Sequence, residues 1–208
     1  MYSQLIDRLD RATVAPRRRY ADAVFWRGEG RRRDRLAATL FFELSAPLWA
    51  RRAQGDGHLA PFAAALAHCH APRRALDLGT GTGATAALLA ERFPDAEVTG
   101  FDGSRAMLRF AKAEFEAPNL RFVRGDLRKL PFPDAHFDLV AMLNALPEPR
   151  ELARVCRPGA IVLLANTYFP EVRAGPRGRL ANLGLHERSE GTLDGGGWLL
   201  LERSEACG

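Results

Sequence analysis

Three aspartates and a run of glycines are the residues here with chemistry in their spacing. In residues 75–83, Ala-Leu-Asp-Leu-Gly-Thr-Gly-Thr-Gly, an acid at Asp77 is followed by Gly79, Gly81 and Gly83, with Thr80 between them. Asp102 and Asp126 follow at the ends of two further apolar stretches. Glycines accept positive φ and let a ligand approach the backbone closely. A helix opening directly after them offers free N–H groups to the same spot. Acids at the carboxyl ends of parallel strands sit where open α/β sheets bind their ligands. The pattern therefore points to a nucleotide-like ligand.

Three cofactor chemistries use such turns. A phosphate-cradling loop needs Gly-Lys-Ser/Thr, but Ala-Thr-Ala follows Gly83. A dinucleotide site remains open, because Gly79-x-Gly81-x-x-Ala84 fits the relaxed fingerprint and Asp102, 19 residues after Gly83, stands where a ribose-binding acid belongs.

Four further stretches weigh on the choice: Gly100-Phe-Asp102-Gly103-Ser104 with Met107 and Leu108, Gly125-Asp126-Leu127, Phe137-Asp138-Leu139-Val140, and Arg157-Pro158-Gly159-Ala160. In this order, with residues 77–83 before them, they resemble the class I S-adenosylmethionine-dependent methyltransferases from about residue 59 onward. The resemblance implies S-adenosylmethionine as cofactor and S-adenosylhomocysteine as product. It implies cofactor contacts from Asp77, Gly79, Thr80, Gly81 and Gly83 around the methionyl tail, and from Asp102 to both ribose hydroxyls. Gly103, Ser104 and Met107 would pack on adenine, with Asp126 and the Leu127 backbone at its edge, and Asn144 would line the cleft near the sulfonium. Each acid also has a structural role open to it: Asp77 and Asp126 as turn or helix caps, Asp102 as a cap for the helix from Ser104. Asp138, at a strand start, is read as structural.

Displacement at a methyl sulfonium has an activated leaving group, so positioning and water exclusion matter most and an acid–base pair is optional. The candidate catalytic residues are His58, in the polar turn Gly55-Asp56-Gly57-His58, and Tyr168, after the fifth strand. Tyr20, Trp26 and Trp49 are further candidates to line the substrate side. His68-Cys69-His70 is no metal cluster, since neighbouring helical side chains diverge; no metal is expected. Asn144-Ala145-Leu146-Pro147 departs from the Asn/Asp-Pro-Pro-aromatic motif of amino-group methylation on bases or glutamine. That departure favours a small-molecule acceptor over nucleic acid. The alternatives are an RNA or protein methyltransferase, a non-catalytic cofactor-binding subunit, and a nicotinamide-dependent oxidoreductase.

The elements that must hold these residues alternate. Strands are predicted at 75–78, 97–101, 120–124, 137–143 and 160–168, with helices at 84–92, 104–115 and 148–155. A short helix near Leu180 and a hairpin of 185–192 with 197–203 close the chain. This is an α/β class: a Rossmann-like, doubly wound, seven-stranded sheet, mostly parallel with a C-terminal antiparallel hairpin. Residues 1–70 read as a helical appendage covering the substrate side, with helices at 2–12, 20–26, 33–48 and 59–69, and residues 71–208 as the cofactor domain.

The 208 residues carry a net charge of +5, of which +7 falls in residues 1–74 and −2 in the rest. The early arginines could meet an acidic partner or a nucleic acid, or be a solvated helix face. The apolar residues 37–49 suit the sheet, a substrate or a second subunit, so a homodimer is in view. No apolar run approaches the ~20 residues of a membrane span. No signal-peptide core is evident, and the 3 scattered cysteines suit a reducing cytoplasm.

Overall fold

The structure is a computed structural model, and it describes residues 42–47, 49–51, 57–145, 148–167 and 174–204. The chain divides into two compact units, residues 1–38, which lie outside the described residues, and residues 39–208. The helices expected at 2–12 and 20–26 lie outside the described residues. Of the helix expected at 33–48, residues 42–47 are described and helical, and the helical conformation is seen again at 49–51.

The second unit is organised by parallel strands: β1 (Arg74–Leu78), β2 (Glu97–Asp102), β3 (Leu120–Arg124), β4 (Phe137–Leu143) and β5 (Cys156–Asn166). An antiparallel pair, β6 (Leu185–Leu193) and β7 (Gly196–Arg203), completes the sheet. The helices are α1 (Ala60–Leu66), α2 (Ala84–Arg92), α3 (Arg105–Glu114), α4 (Pro149–Val155) and α5 (Ala174–Ala181). Strand order is β3-β2-β1-β4-β5-β7-β6. β1 pairs in parallel with β2 on one side and β4 on the other, so the winding reverses beside it and a crevice opens at its carboxyl end.

The core lies on both faces of the sheet. Phe62, Leu66, Ala86 and Leu89, from α1 and α2, pack on one face. Leu152, Val155 and Leu180, from α4 and α5, pack on the other. Strands covered on both faces read as continuous apolar runs, and β1 is buried at every position after Arg74. Asp138 is structural, as expected: its Oδ2 accepts the Arg73 and Arg74 N–H groups at 2.7 Å each, and its Oδ1 pairs with Arg157 at 2.5 Å.

β5 begins four residues earlier than the sequence suggests. Phe137 pairs with Cys156, then the register jumps so that Leu139 pairs with Ile161. Arg157, Pro158, Gly159 and Ala160 lie unpaired between these pairs, opposite Asp138 alone. Pro158 has no N–H to donate, and Gly159 has φ 75°. In the sequence those residues read as a stop, whereas here they interrupt a strand. The β6–β7 turn is Asp194-Gly195, with φ 52° and 80°, the pair of positive angles that a two-residue hairpin matching strand twist requires.

Candidate functional site

The site is built on the carboxyl ends of β1 to β5. At the β1 tip Asp77 is fully buried, and its Oδ2 accepts from Thr80 Oγ1 at 2.6 Å and Thr85 Oγ1 at 2.5 Å. Its Oδ1 has no hydrogen-bond partner. Burial raises the Asp77 carboxyl to about 6 against the pull of both hydroxyls, helped by the nearby Asp102 charge and opposed by the Ala86 amide. The turn after Asp77 is tethered to β2, since Gly79 and Thr80 both donate N–H to the Phe101 carbonyl, at 2.8 and 3.0 Å.

Gly79, Gly81 and Gly83 have φ of 80°, 55° and 93°. They are not alike. A Cβ on Gly79 would meet Ala145 Cβ at 2.6 Å, and one on Gly83 would meet Ala111 Cβ at 2.8 Å, whereas nothing lies within 4 Å of the Gly81 position. Two glycines are thus demanded by packing, and the middle one borders open space. Gly83 is also the N-cap of α2, a helix start with no side-chain cap.

Asp102 closes the other side of this space. Its Oδ2 accepts the Gly81 N–H at 2.9 Å, and its Oδ1 the Ser104 N–H at 2.8 Å. Burial raises its carboxyl, against the amides of Ser104, Gly81 and Gly103, and the Glu43 charge adds to the rise. Ser104 caps α3 by accepting the Met107 N–H at 3.1 Å, and Met107 itself is buried. Leu127 spans the gap between the loops, with side-chain atoms 3.8 Å from the Gly79 Cβ position and 3.5 Å from that of Gly103.

Asp126 is placed differently. Its half-exposed carboxylate is held by Arg128, with Nε at 2.9 Å and Nη2 at 2.5 Å. Asn144 takes a left-handed φ of 55° that Asn tolerates. Its side chain brackets Thr167, with Nδ2 donating to Thr167 Oγ1 at 2.9 Å and Oδ1 accepting the Thr167 N–H at 3.0 Å. Thr167 Oγ1 in turn donates to the His58 carbonyl at 3.0 Å, and the His58 ring lies 6.1 Å from that of Trp49.

Asp77, Gly79, Thr80, Gly81, Gly83, Asp102, Gly103 and Ser104 thus lie in two adjoining, hydrogen-bonded turns at the β1 and β2 tips, with Leu127 between Gly79 and Gly103. The structure sets Asn144 and His58 at the β4 and β5 tips. Tyr168 lies outside the described residues. Sequence reasoning missed three residues. Thr85 is signalled only by its offset from Asp77 across a helix start. Thr167 carries no pattern. Glu43 reaches this region from 62 residues before Arg105.

Other candidates lie elsewhere. Burial pushes the Cys156 thiol up to about 12, which leaves no thiolate for attack. A cavity of about 430 Å³ lined by His70, Asp138, Arg157, Arg188 and Glu202 opens at the amino ends of β4 and β5, the edge opposite the glycine loop. Its guanidinium groups are already paired with Asp138 and Glu202.

A seven-stranded sheet with this order, and a glycine-and-carboxylate turn at its switch point, define a class. Residues 75–159 match the family described as "Methyltransferase domain". That match covers 85 of the 208 residues, and it agrees with the resemblance of the sequence to class I S-adenosylmethionine-dependent methyltransferases. Two relatives come from Deinococcus radiodurans. Trans-aconitate 2-methyltransferase is 48% identical over 94 residues, 42% of this chain and 35% of that protein. Demethylmenaquinone methyltransferase is 38% identical over 130 residues, 58% of this chain and 53% of that protein. The chain therefore spans about a third to a half of the curated relatives it matches. Among solved structures, magnesium protoporphyrin IX methyltransferase from Synechocystis, with SAH bound, aligns with a TM-score of 0.65 and 19% identity, over 81% of this chain and 99% of that one. At that identity the likeness is one of fold.

The residues present fit the family's cofactor. That molecule carries an amino-acid tail with an ammonium group, vicinal ribose hydroxyls and no phosphate. Asp77 keeps one buried carboxylate oxygen without a partner, Gly81 has open space at its Cβ position, and the Asp102 carboxylate is held in place by two amides.

Proposed function

We propose that this chain is an S-adenosylmethionine-dependent methyltransferase acting on a small-molecule acceptor. The observation that carries the reading is the buried, unpartnered Asp77 Oδ1 at the start of a glycine turn in which Gly81 has open space at its Cβ position and its amide holds the Asp102 carboxylate. A pyrophosphate between two buried carboxylates would be repelled, whereas an ammonium and a diol are complementary to them. The names of the two bacterial relatives, which act on trans-aconitate and demethylmenaquinone, support a small acceptor.

When bound, S-adenosylmethionine supplies a methyl group already activated by the sulfonium. Asp77 would take the ammonium of its tail, and Asp102 its ribose hydroxyls. Gly103, Ser104 and Met107 would form the adenine side, with Asp126 and the Leu127 backbone at its edge. Gly81 would leave room for the tail, and Gly79, Thr80 and Gly83 would shape the turn around it. Asn144 and Thr167 hold the β4 and β5 tips rigidly, so an acceptor resting there meets a fixed wall. His58, anchored through its carbonyl to Thr167, is the proposed base for acceptors that must lose a proton, and Tyr168, the residue after Thr167, the second candidate.

The N-terminal segment would supply acceptor specificity. A cytoplasmic location is proposed from the free, buried thiols of Cys69 and Cys156. Among the described residues no helix is long and apolar enough to cross a membrane.

Calorimetry with S-adenosylmethionine, S-adenosylhomocysteine and NAD tests the reading. The first two should bind and NAD should not, and Asp102→Ala should abolish binding. NAD binding without S-adenosylhomocysteine binding would overturn it. Transfer of labelled methyl groups into a metabolite extract then identifies the acceptor, and labelling of RNA or protein instead would move the acceptor to that class.

A further inference from the structure

One hydroxyl joins three elements at the carboxyl ends of β4 and β5. Asn144 leaves β4 with a left-handed φ of 55°, and its N–H still donates to the Ala165 carbonyl at 2.9 Å. That turn carries its side chain back toward Thr167, just beyond β5. The Thr167 backbone N–H can only donate, so the atom facing it at 3.0 Å is Asn144 Oδ1. The amide nitrogen Nδ2 therefore faces Thr167 Oγ1, at 2.9 Å, and can only donate to it. The hydroxyl proton then goes to the His58 carbonyl at 3.0 Å, which can only accept. The chain runs one way, from Asn144 through Thr167 to His58.

The His58 end has use for such a tie. α1 starts at Ala60, and Leu59 before it supplies no side-chain cap. Gly57, on the other side of His58, has φ 89° and open space at its Cβ position. From Pro61 onward packing takes over. Pro61 and Phe62 are buried, and a Cβ on Gly196 of β7 would run into both Pro61 Cγ and the Asn166 carbonyl. His58 thus lies between a turn glycine and the first packed residues of α1, and the Thr167 hydroxyl fixes its main chain there. The β5 ladder ends at Asn166, so that hydroxyl serves no strand pairing and is committed to its two partners.

We infer that Thr167 is a positioning residue that fixes the His58 main chain against the Asn144 tip, and so sets the proposed base relative to the proposed cofactor side. The inference rests on the methyltransferase reading. By that reading Asn144 lines the cleft near the sulfonium and His58 takes the acceptor's proton, and one hydroxyl registers the two. Valine at this position would keep the shape but leave Asn144 Nδ2 and the His58 carbonyl without their shared partner. The Thr167 N–H would still hold Asn144 Oδ1. The loss should therefore fall on transfer and spare cofactor affinity, since a displacement of about 1 Å at a reacting group can cost roughly 100-fold in rate.

The test uses the full chain, methyl-labelled S-adenosylmethionine and a whole-cell extract separated into small molecules, RNA and protein. Affinity for S-adenosylhomocysteine is measured alongside by calorimetry. Thr167→Val should lower the transfer rate roughly 10- to 100-fold and leave that affinity within about threefold of wild type. Thr167→Ser, which keeps the hydroxyl, should recover the rate to within about threefold. Thr167→Ala carries the same test should the valine variant not fold. His58→Ala should lose roughly 100-fold. The double variant, His58→Ala with Thr167→Val, should fall no further than that, because the hydroxyl acts through His58. Asn119→Ala is the control. Its side chain holds the carbonyls of Ala90, Phe93 and Ala96 beside the amino end of β3, so its loss should lower thermal stability without changing transfer. Wild-type rates in the hydroxyl-free variants, no rescue by serine, full transfer by His58→Ala, or losses that multiply in the double variant would each overturn the positioning role. Product binding with no labelled acceptor in any fraction would also overturn it while leaving the cofactor assignment standing. Absence of product binding in the wild type would overturn the methyltransferase reading, and the role of Thr167 with it.

Discussion

Thr85, on the first turn of α2, donates its hydroxyl to Asp77 Oδ2 at 2.5 Å, and so holds the buried carboxylate with its Oδ1 left unpartnered. Burial lifts this carboxyl to about 6 in the folded chain, against an ordinary value of 3.8. The folded state therefore keeps a proton that the unfolded chain releases between about pH 4 and 6, and the cofactor-free protein loses stability as pH rises through that window. The full effect is about 3 kcal/mol. Ligand binding has the opposite sign. Below pH 6 a neutral Asp77 offers no charge to an ammonium, so affinity for S-adenosylhomocysteine should weaken as pH falls from 8 to 5. Asp77→Asn should bind roughly 10- to 100-fold more weakly at pH 8, the scale of charge-assisted hydrogen bonds, and should flatten both pH profiles. Calorimetry and urea denaturation across that pH range check both signs.

Gly81 and Gly83 should fail in different ways when changed to alanine. At Gly83, φ is 93° and the new methyl would sit 2.8 Å from Ala111 Cβ and 3.0 Å from Phe122 Cζ. Backbone strain and overlap combine there, so Gly83→Ala should lose about 3 kcal/mol of folding stability. At Gly81, φ is 55° with open space ahead. Gly81→Ala should lose only about 1–2 kcal/mol of stability, yet bind S-adenosylhomocysteine at least tenfold more weakly, because the methyl points where a ligand must approach. Denaturation midpoints and titration on the same two samples separate the outcomes.

Most of the sheet was legible because strands buried on both faces are short apolar runs punctuated by glycine, and β1 to β4 fall within a residue of where those runs predict. The glycine loop and Asp102 were legible for a related reason: positive φ and close approach restrict the residue type locally. What is not local was invisible. Glu43 meets α3 across 62 residues, and no periodicity announces it. Thr167 matters only because the left-handed Asn144 turns toward it. The start of β5 was misplaced because Pro158-Gly159 signals a turn, while the neighbouring β4 keeps Cys156 in the ladder beyond the bulge.

Asp126 and Arg128 supply a further test, since the family resemblance implies that Asp126 lies at the adenine edge and the structure pairs it with a guanidinium two residues on. The pair is exposed, with side chains 47% and 56% accessible, and such pairs contribute ~0–1 kcal/mol. A carboxylate so weakly committed can take a second donor or exchange one for another. Arg128→Ala should therefore leave folding stability within about 0.5 kcal/mol and leave S-adenosylhomocysteine affinity unchanged or up to roughly fivefold tighter, by removing a competitor for the same oxygens. Asp126→Asn should weaken binding roughly tenfold, because the lost charge weakens its bond to an adenine N–H. Should Arg128→Ala weaken binding as much as Asp126→Asn, the guanidinium would be a necessary holder of Asp126, and the competition argued here would be wrong.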